Sequence, residues 1–186
     1  MSDIKVASRY AKALLELSVE KNQLEAVMGD VHQLLSVASE NRDFVLMLHS
    51  PIVSTDKKLN ILKLIFGKTS NKITLTFFEI VTRKNRSNVL LSTAREFQNQ
   101  YNLHKGIQVA EVTTTFPLTA ELRESFVEIV KEISGLEKVE LIEKINEDLI
   151  GGFVLKVNDK LLDDSISGKL RILRLRFAQR YFVKLF

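Results

Sequence analysis

Asp148-Leu-Ile-Gly-Gly-Phe-Val-Leu-Lys-Val-Asn-Asp159 is the stretch that decides how this chain is read. Two adjacent glycines stand before an apolar run, and neither carries a Cβ, so one backbone can approach another closely there. Leu161-Leu-Asp-Asp-Ser-Ile-Ser167 follows, and then a long helix of mixed basic and apolar residues. The order is glycine turn, strand, second turn, closing helix. It describes a packed structural joint rather than a catalytic centre.

Upstream of this joint the text is α/β as far back as Gly106. Ile107 to Phe116 is rich in Val and Thr and reads as a strand stopped by Pro117. Thr119 caps a helix from Ala120 to Ser134, with Leu122, Phe126, Ile129, Val130 and Ile133 inward and Gly135 as its stop. Lys138 to Ile145 alternates polar and apolar and is expected to pair with Phe153–Val157 as a hairpin across Gly151-Gly152.

Before Lys105 the period is helical. Ser2 or Asp3 caps a helix to about Glu20, and a second carries Leu24, Val27, Val31, Leu34, Leu35 and Ala38. Asn41-Arg-Asp43 opens a short third, ended by Ser50-Pro51. Thr55 caps a fourth to Phe66, Ser70 a fifth with Ile73, Phe77, Ile80 and Val81, and Ser87 a sixth with Leu90, Leu91, Ala94, Phe97 and Tyr101. The fold class is therefore mainly α: an N-terminal six-helix bundle over 1–105 and a small α/β module over 106–186.

The bulk numbers exclude more than they assert. Apolar residues make up 45% and charged residues 27% of the 186, an ordinary globular mixture. Cysteine is absent, which removes disulfides, thiolate nucleophiles and Cys-bound metals. The net charge of +4 suits an acidic partner or a membrane surface and falls short of a nucleic-acid coat. No apolar run approaches the about 18 residues a membrane span needs. The start lacks a secretory core, and Asp3 and Glu16 argue against a transit peptide, so a cytoplasm-like compartment is expected.

Candidate chemistry is sparse. Gly67-Lys68-Thr69 imitates the end of a phosphate loop, but position 62 is Leu and the flank is helical. His32, His49 and His104 lack metal-ligand spacing. Asp163-Asp164 suits the first turn of the last helix, where carboxylates meet the helix dipole. Asn85-Arg86-Ser87 matches a glycosylation sequon, which means nothing without secretion. No nucleophile, base and stabiliser assemble, so no catalytic residue, metal or cofactor is assigned.

The last helix is the exception. Lys169, Arg176, Arg180 and Lys184 fall within about 80° of arc, beside an apolar stripe of Ile166, Leu170, Phe177 and Tyr181. Leu175, Ala178, Phe182 and Phe186 cover another side. That is too much apolar surface for one core, so a partner surface is expected on this helix. The first helix shows small Ala7 and Ala11 next to bulkier Tyr10, Leu14 and Leu17, a pattern that admits a close helix neighbour.

Ala7-Ser-Arg-Tyr-Ala-Lys-Ala-Leu-Leu-Glu-Leu17 resembles the opening of the delta subunit of F-type ATP synthase, the oligomycin-sensitivity-conferring protein of mitochondria. The likeness continues through Asn41-Arg-Asp-Phe44, Leu48-His-Ser-Pro51, Lys57-Lys-Leu59, Ile65-Phe66 and Asn85-Arg-Ser-Asn-Val-Leu90. It closes on Asp148-Leu-Ile-Gly-Gly152, Asp163-Asp-Ser165 and Lys169-Leu-Arg171, so it spans the chain in order. Thr114-Thr-Phe-Pro-Leu118 departs from the family's Ser-Ala-x-Pro-Leu by a bulky Phe116, and Tyr181-Phe-Val-Lys-Leu-Phe186 is longer and more aromatic than the usual end.

The resemblance implies a non-catalytic stator subunit, peripheral at the cytoplasmic face of the inner (plasma) membrane or its organellar equivalent. It implies that the bundle binds N-terminal helices of the alpha subunits, with Ala7, Tyr10, Ala11 and Leu14 on one wall of a groove and Phe77, Ile80 and Val81 on the other. The C-terminal module would bind the end of the b-subunit stalk through Lys169, Leu175, Arg176, Ala178, Arg180, Phe182 and Lys184. The competing expectation is a nucleic-acid-binding adaptor that uses the same basic helix.

Overall fold

A computed structural model describes Asp3–Arg180, and the chain divides into two compact units, Met1–Tyr101 and Asn102–Phe186. Among the described residues, helices α1 (Asp3–Glu20), α2 (Leu24–Glu40), α3 (Arg42–His49), α4 (Thr55–Phe66) and α5 (Lys72–Arg83) lead to α6 (Leu90–Lys105), whose last turn carries the division. A short 3-10 turn, Ser87–Val89, precedes α6.

The core of the first unit is built from the inward stripes. Ala11, Val27, Phe66, Val81 and Phe97 have no measurable exposure, and Leu34, Leu48, Leu62 and Leu90 are nearly as deep. Phe66 is the hub: its ring meets Phe44 at 6.3 Å and Phe78 at 5.7 Å between centroids. Edge-on and tilted arrangements like these suit the aromatic quadrupole.

Three caps differ from the sequence expectation, and one is Ser87, which lies inside the 3-10 turn before α6 with its hydroxyl donating to Leu48 O instead of capping that helix. Ser54, not Thr55, occupies the cap position of α4, because Thr55 already has helical backbone. Asn71, not Ser70, caps α5, its side chain accepting from Ile73 N at 3.0 Å. Asp30 explains the shift: its buried carboxylate accepts from Asn71 N at 2.8 Å and from Thr74 Oγ1 at 2.5 Å. A carboxylate from α2 thus satisfies the start of α5, where free N–H groups and the helix dipole favour negative charge.

The second unit is a four-stranded mixed sheet with α7 (Ala120–Ser134) on one face and α8 (Ile166–Arg180) after it. β1 (Ile107–Thr114), β2 (Lys138–Ile145), β3 (Phe153–Val157) and β4 (Lys160–Asp163) lie in the order β2-β1-β3-β4. β1 runs parallel to β2, Ala110 opposite Leu141, and antiparallel to β3, Val112 opposite Leu155. Ala110, Val112, Leu155 and Val157 pack with Phe126 and Val130 of α7, and Phe126 meets Phe153 edge-on at 4.9 Å.

The expected β2–β3 hairpin is therefore corrected. A central strand separates the two, and residues 146–152 carry the chain across its end, pinned by Asn146 N donating to Thr114 O at 2.8 Å. The true hairpin partner of β3 is β4, a four-residue strand where the sequence suggests only a turn.

The glycine pair makes its close approach elsewhere. Gly152 has φ +77°, and a Cβ there would strike the backbone of Asp164 and Ser165. Ile166 N donates to Gly151 O and Asp164 N to Phe153 O, both at 3.0 Å, so the pair joins the start of β3 to the entrance of α8. Phe116 is exposed and Thr114 Oγ1 donates to its carbonyl, so the bulky departure from the family pattern asks nothing of the core.

Candidate functional site

Two surfaces stand out, one on each unit. On the first, α1 and α5 diverge into a groove of about 630 Å³ lined by Tyr10, Ala13, Leu14, Leu17, Ile73, Thr76, Phe77 and Ile80. The lining follows from helix period: 10, 13, 14, 17, 21 and 73, 76, 77, 80 each trace one stripe. These stripes lie beside the ones that enter the core, so the same two helices serve both. Tyr10 and Phe77 close one end edge-on, 6.2 Å apart. Arg86 fixes Tyr10, donating to its hydroxyl at 3.1 Å with the guanidinium 5.9 Å from the ring centroid. Lys21, Gln23, Asn71 and Lys72 ring the opposite end.

Of the seven residues expected on the groove walls, Tyr10, Leu14, Phe77 and Ile80 line it. Ala7, Ala11 and Val81 do not; they are buried at 2%, 0% and 0% exposure. The reason is rotation: on α1 the alanines sit one step further round, where their small side chains let the helix press against the bundle. Ala13, Leu17, Ile73 and Thr76 were missed, although continuing the three- and four-residue steps from Tyr10 and Phe77 reaches each of them.

On the second unit, α8 leaves most of its side chains in solvent. Ile166, Leu170, Ile172, Leu173, Leu175 and Phe177 are all exposed, at 44–62%. Leu175, Arg176 and Ala178 of the expected docking face share that exposure. Lys169 does not lie free as expected: its ammonium pairs with Asp164 at 2.7 Å. Arg171 is 3.6 Å from Asp163. The Arg180 side chain, Phe182 and Lys184 lie outside the described residues.

The entrance of α8 is tightly specified. Ser165 Oγ accepts from Gly168 N at 3.0 Å, an N-cap, and donates to Asp163 Oδ1 at 2.6 Å. Asp163 Oδ1 also accepts from Ser165 N. The Ser165 hydroxyl and amide, with a lesser contribution from Arg171, hold the Asp163 carboxyl below its usual range. A Cβ on Gly168 would collide with that carboxylate.

One further polar cluster is buried. Lys58 Nζ donates to Leu48 O at 2.9 Å and to Ser87 Oγ at 2.8 Å, and Ser87 Oγ donates to the same carbonyl. A serine beside a lysine of depressed basicity has the make-up of a nucleophile and its base. Here the lysine is pushed below its ordinary value by burial, both side chains are sealed in the core, and the hydroxyl hydrogen is spent on Leu48. The cluster ties α3, α4 and the Ser87 turn together.

Gly67 ends α4 in right-handed helical conformation and Lys68-Thr69 continue as a turn, so no phosphate loop opens after a strand here. Among the described residues no group of three His, Asp or Glu could hold a metal, and no helix is long and apolar enough to cross a membrane.

The comparisons with known proteins agree with one another. The profile of the family described as ATP synthase delta (OSCP) subunit matches residues 6–177. The ATP synthase subunit delta of Cytophaga hutchinsonii is 39% identical over 180 residues, covering 97% of this chain and 98% of its own. That of Amoebophilus asiaticus is 33% identical over 177 residues, with 95% and 96% covered. A chain in the cryo-EM structure of the Toxoplasma gondii mitochondrial ATP synthase hexamer superposes with a TM-score of 0.74 over 92% of this chain and 97% of its own. At 22% identity that last likeness speaks for the fold.

Proposed function

The chain belongs to the ATP synthase delta (OSCP) subunit family, and on that premise we propose that its two units serve as the two ends of one mechanical joint. It is a peripheral-stalk subunit of an F-type ATP synthase, and the process it serves is ATP synthesis coupled to proton transport. In our reading the first unit grips the catalytic head and the second grips the stalk. Rotor torque then works against a held head instead of spinning it. The subunit performs no bond chemistry of its own, and it rests at the cytoplasmic face of the membrane through the complex.

The groove between α1 and α5 carries this reading. It is apolar and open to solvent, and we assign it to an amphipathic N-terminal helix of an alpha subunit. Burial of the partner's apolar face would supply the affinity, on the order of 25 cal/mol per Å² before ordering costs. We assign α8, with Leu175, Arg176 and Ala178 and the neighbouring Ile172, Leu173 and Phe177, to the end of the b-subunit stalk.

Ile80 tests the groove because it is 47% exposed, so changing it leaves the core intact. Ile80→Asp should weaken binding of an alpha N-terminal peptide by about 2 kcal/mol or more in titration calorimetry, with an unchanged melting temperature. Unchanged affinity in a folded variant would remove the groove from the head interface.

A further inference from the structure

The groove has two unlike ends, and the difference selects its occupant. The aromatic end is closed by Tyr10 and Phe77. The other end gathers Lys21, Gln23, Asn71 and Lys72 at the C-terminus of α1 and the N-terminus of α5. Every charge in that lining is positive. Lys21 and Lys72 are exposed, and neither has an ion pair among the described residues.

The acidic groups nearby are already engaged or turned away. Asp30 is buried and spent on Asn71 N and Thr74 Oγ1. Glu79 is held by Lys63 and Arg83, and Glu16 by Lys12. Glu20 is exposed on α1 but does not line the groove. The Asn71 side-chain oxygen is taken by Ile73 N, which leaves its amide hydrogens as donors toward the groove. This end therefore offers two unpaired ammonium groups and an amide donor, and no carboxylate.

Resting on the reading of the groove as a helix-binding site, we propose that Lys21 and Lys72 form an acid-reading end, so that the bound helix carries a carboxylate there and lies in one direction only. The apolar floor supplies the bulk of the binding and is blind to helix direction. A charge requirement at one end breaks that symmetry, because the reversed helix would cover two solvated ammonium groups with its aliphatic end and offer no carboxylate in return. Lys21 and Lys72 are specificity-determining residues in this scheme.

The test uses the full chain and a synthetic peptide of the alpha N-terminal segment. Lys21→Glu/Lys72→Glu should lose about tenfold in affinity at about 0.02 M salt, shrinking to under about threefold at about 0.5 M. Replacing the peptide's acidic residues nearest one end by lysine should restore binding to that double variant, and acidic residues at its other end should not matter. Lys57→Glu/Lys68→Glu, two exposed lysines on and after α4, alters net charge equally and should leave affinity unchanged.

An equal loss in that control, or an affinity untouched by Lys21→Glu/Lys72→Glu, overturns the acid-reading end. Ile80→Asp keeps the two readings apart. If it abolishes binding while the lysine pair is neutral, the groove stands and the charge requirement falls. If it binds normally, the groove reading itself falls.

Discussion

At the scale of single residues, Lys58 is the group whose chemistry departs most from its sequence neighbourhood. Lys57 is exposed, whereas Lys58 beside it is 4% exposed with two neutral oxygen partners. Burial pushes its basicity down because the charged form loses water. The sign of the consequence is fixed. Between the folded value and the ordinary one of about 10.4, the unfolded chain holds the proton more firmly than the folded one, so stability rises with pH there. The wild type should therefore gain on Lys58→Met, in urea midpoints, as pH climbs toward the ordinary value of about 10.4. A gap that stays constant would mean the lysine is not perturbed. The helical period of α4 reads Leu59, Leu62, Ile65 and Phe66 as inward; Ile65 is instead 38% exposed, and nothing in that period marks Lys58, whose burial depends on a carbonyl of α3 and a hydroxyl of the Ser87 turn.

At the scale of elements, local signals were read well and long-range pairings poorly. The helical period located α1 to α7, and Thr119 and Gly135 bound α7 as their chemistry requires, Thr119 accepting from Leu122 N and Gly135 taking φ +71°. The β2–β3 hairpin failed because alternation fixes a strand's faces and not its neighbour, and β4 failed because four exposed residues carry no alternation to see. The groove's walls came from the family resemblance, and which arc of each helix met the core and which met solvent needed the neighbouring helices. For α8, Asp163-Asp164 was expected within the first turn, but β4 ends at Asp163 and the helix starts at Ile166, so the pair precedes the helix and Ser165 is the cap. Ser165→Ala should destabilise the second unit by about 1 kcal/mol near neutral pH, through loss of the N-cap. Because Asp163 is held below its usual range, its contribution is present above the unfolded value of about 3.9 and is lost as pH falls through the lower folded value. The wild type's advantage should accordingly shrink below about pH 4 in acid titrations followed by circular dichroism. An acid profile identical in the two proteins would dissociate Asp163 from the cap.

At the scale of the whole molecule, the composition changes character at Lys105-Gly106 and the packing divides at Tyr101 and Asn102, four residues earlier. The offset arises because α6 runs on to Lys105: the helix belongs to the first unit by its buried Leu90, Leu91, Ala94 and Phe97, while its last turn belongs to the second, where Asn102 approaches Glu140. Each unit has its own apolar centre, Phe66 and Phe97 in one and Ala110, Val112 and Val130 in the other. A separate centre in each is the condition for independent folding. If each unit holds its own partner, as proposed above, such a design helps, since strain at one grip need not unfold the other. We propose that residues 1–105 fold alone. That fragment should melt cooperatively and bind the alpha N-terminal peptide as tightly as the full chain does. Added to membranes stripped of this subunit, it should fail to restore ATP-driven proton pumping, which the full chain restores, because it lacks α8 and the grip on the stalk. A fragment unfolded by circular dichroism would refute the division. A folded fragment that restores pumping would show that the head alone, and not a two-ended joint, is what this subunit serves.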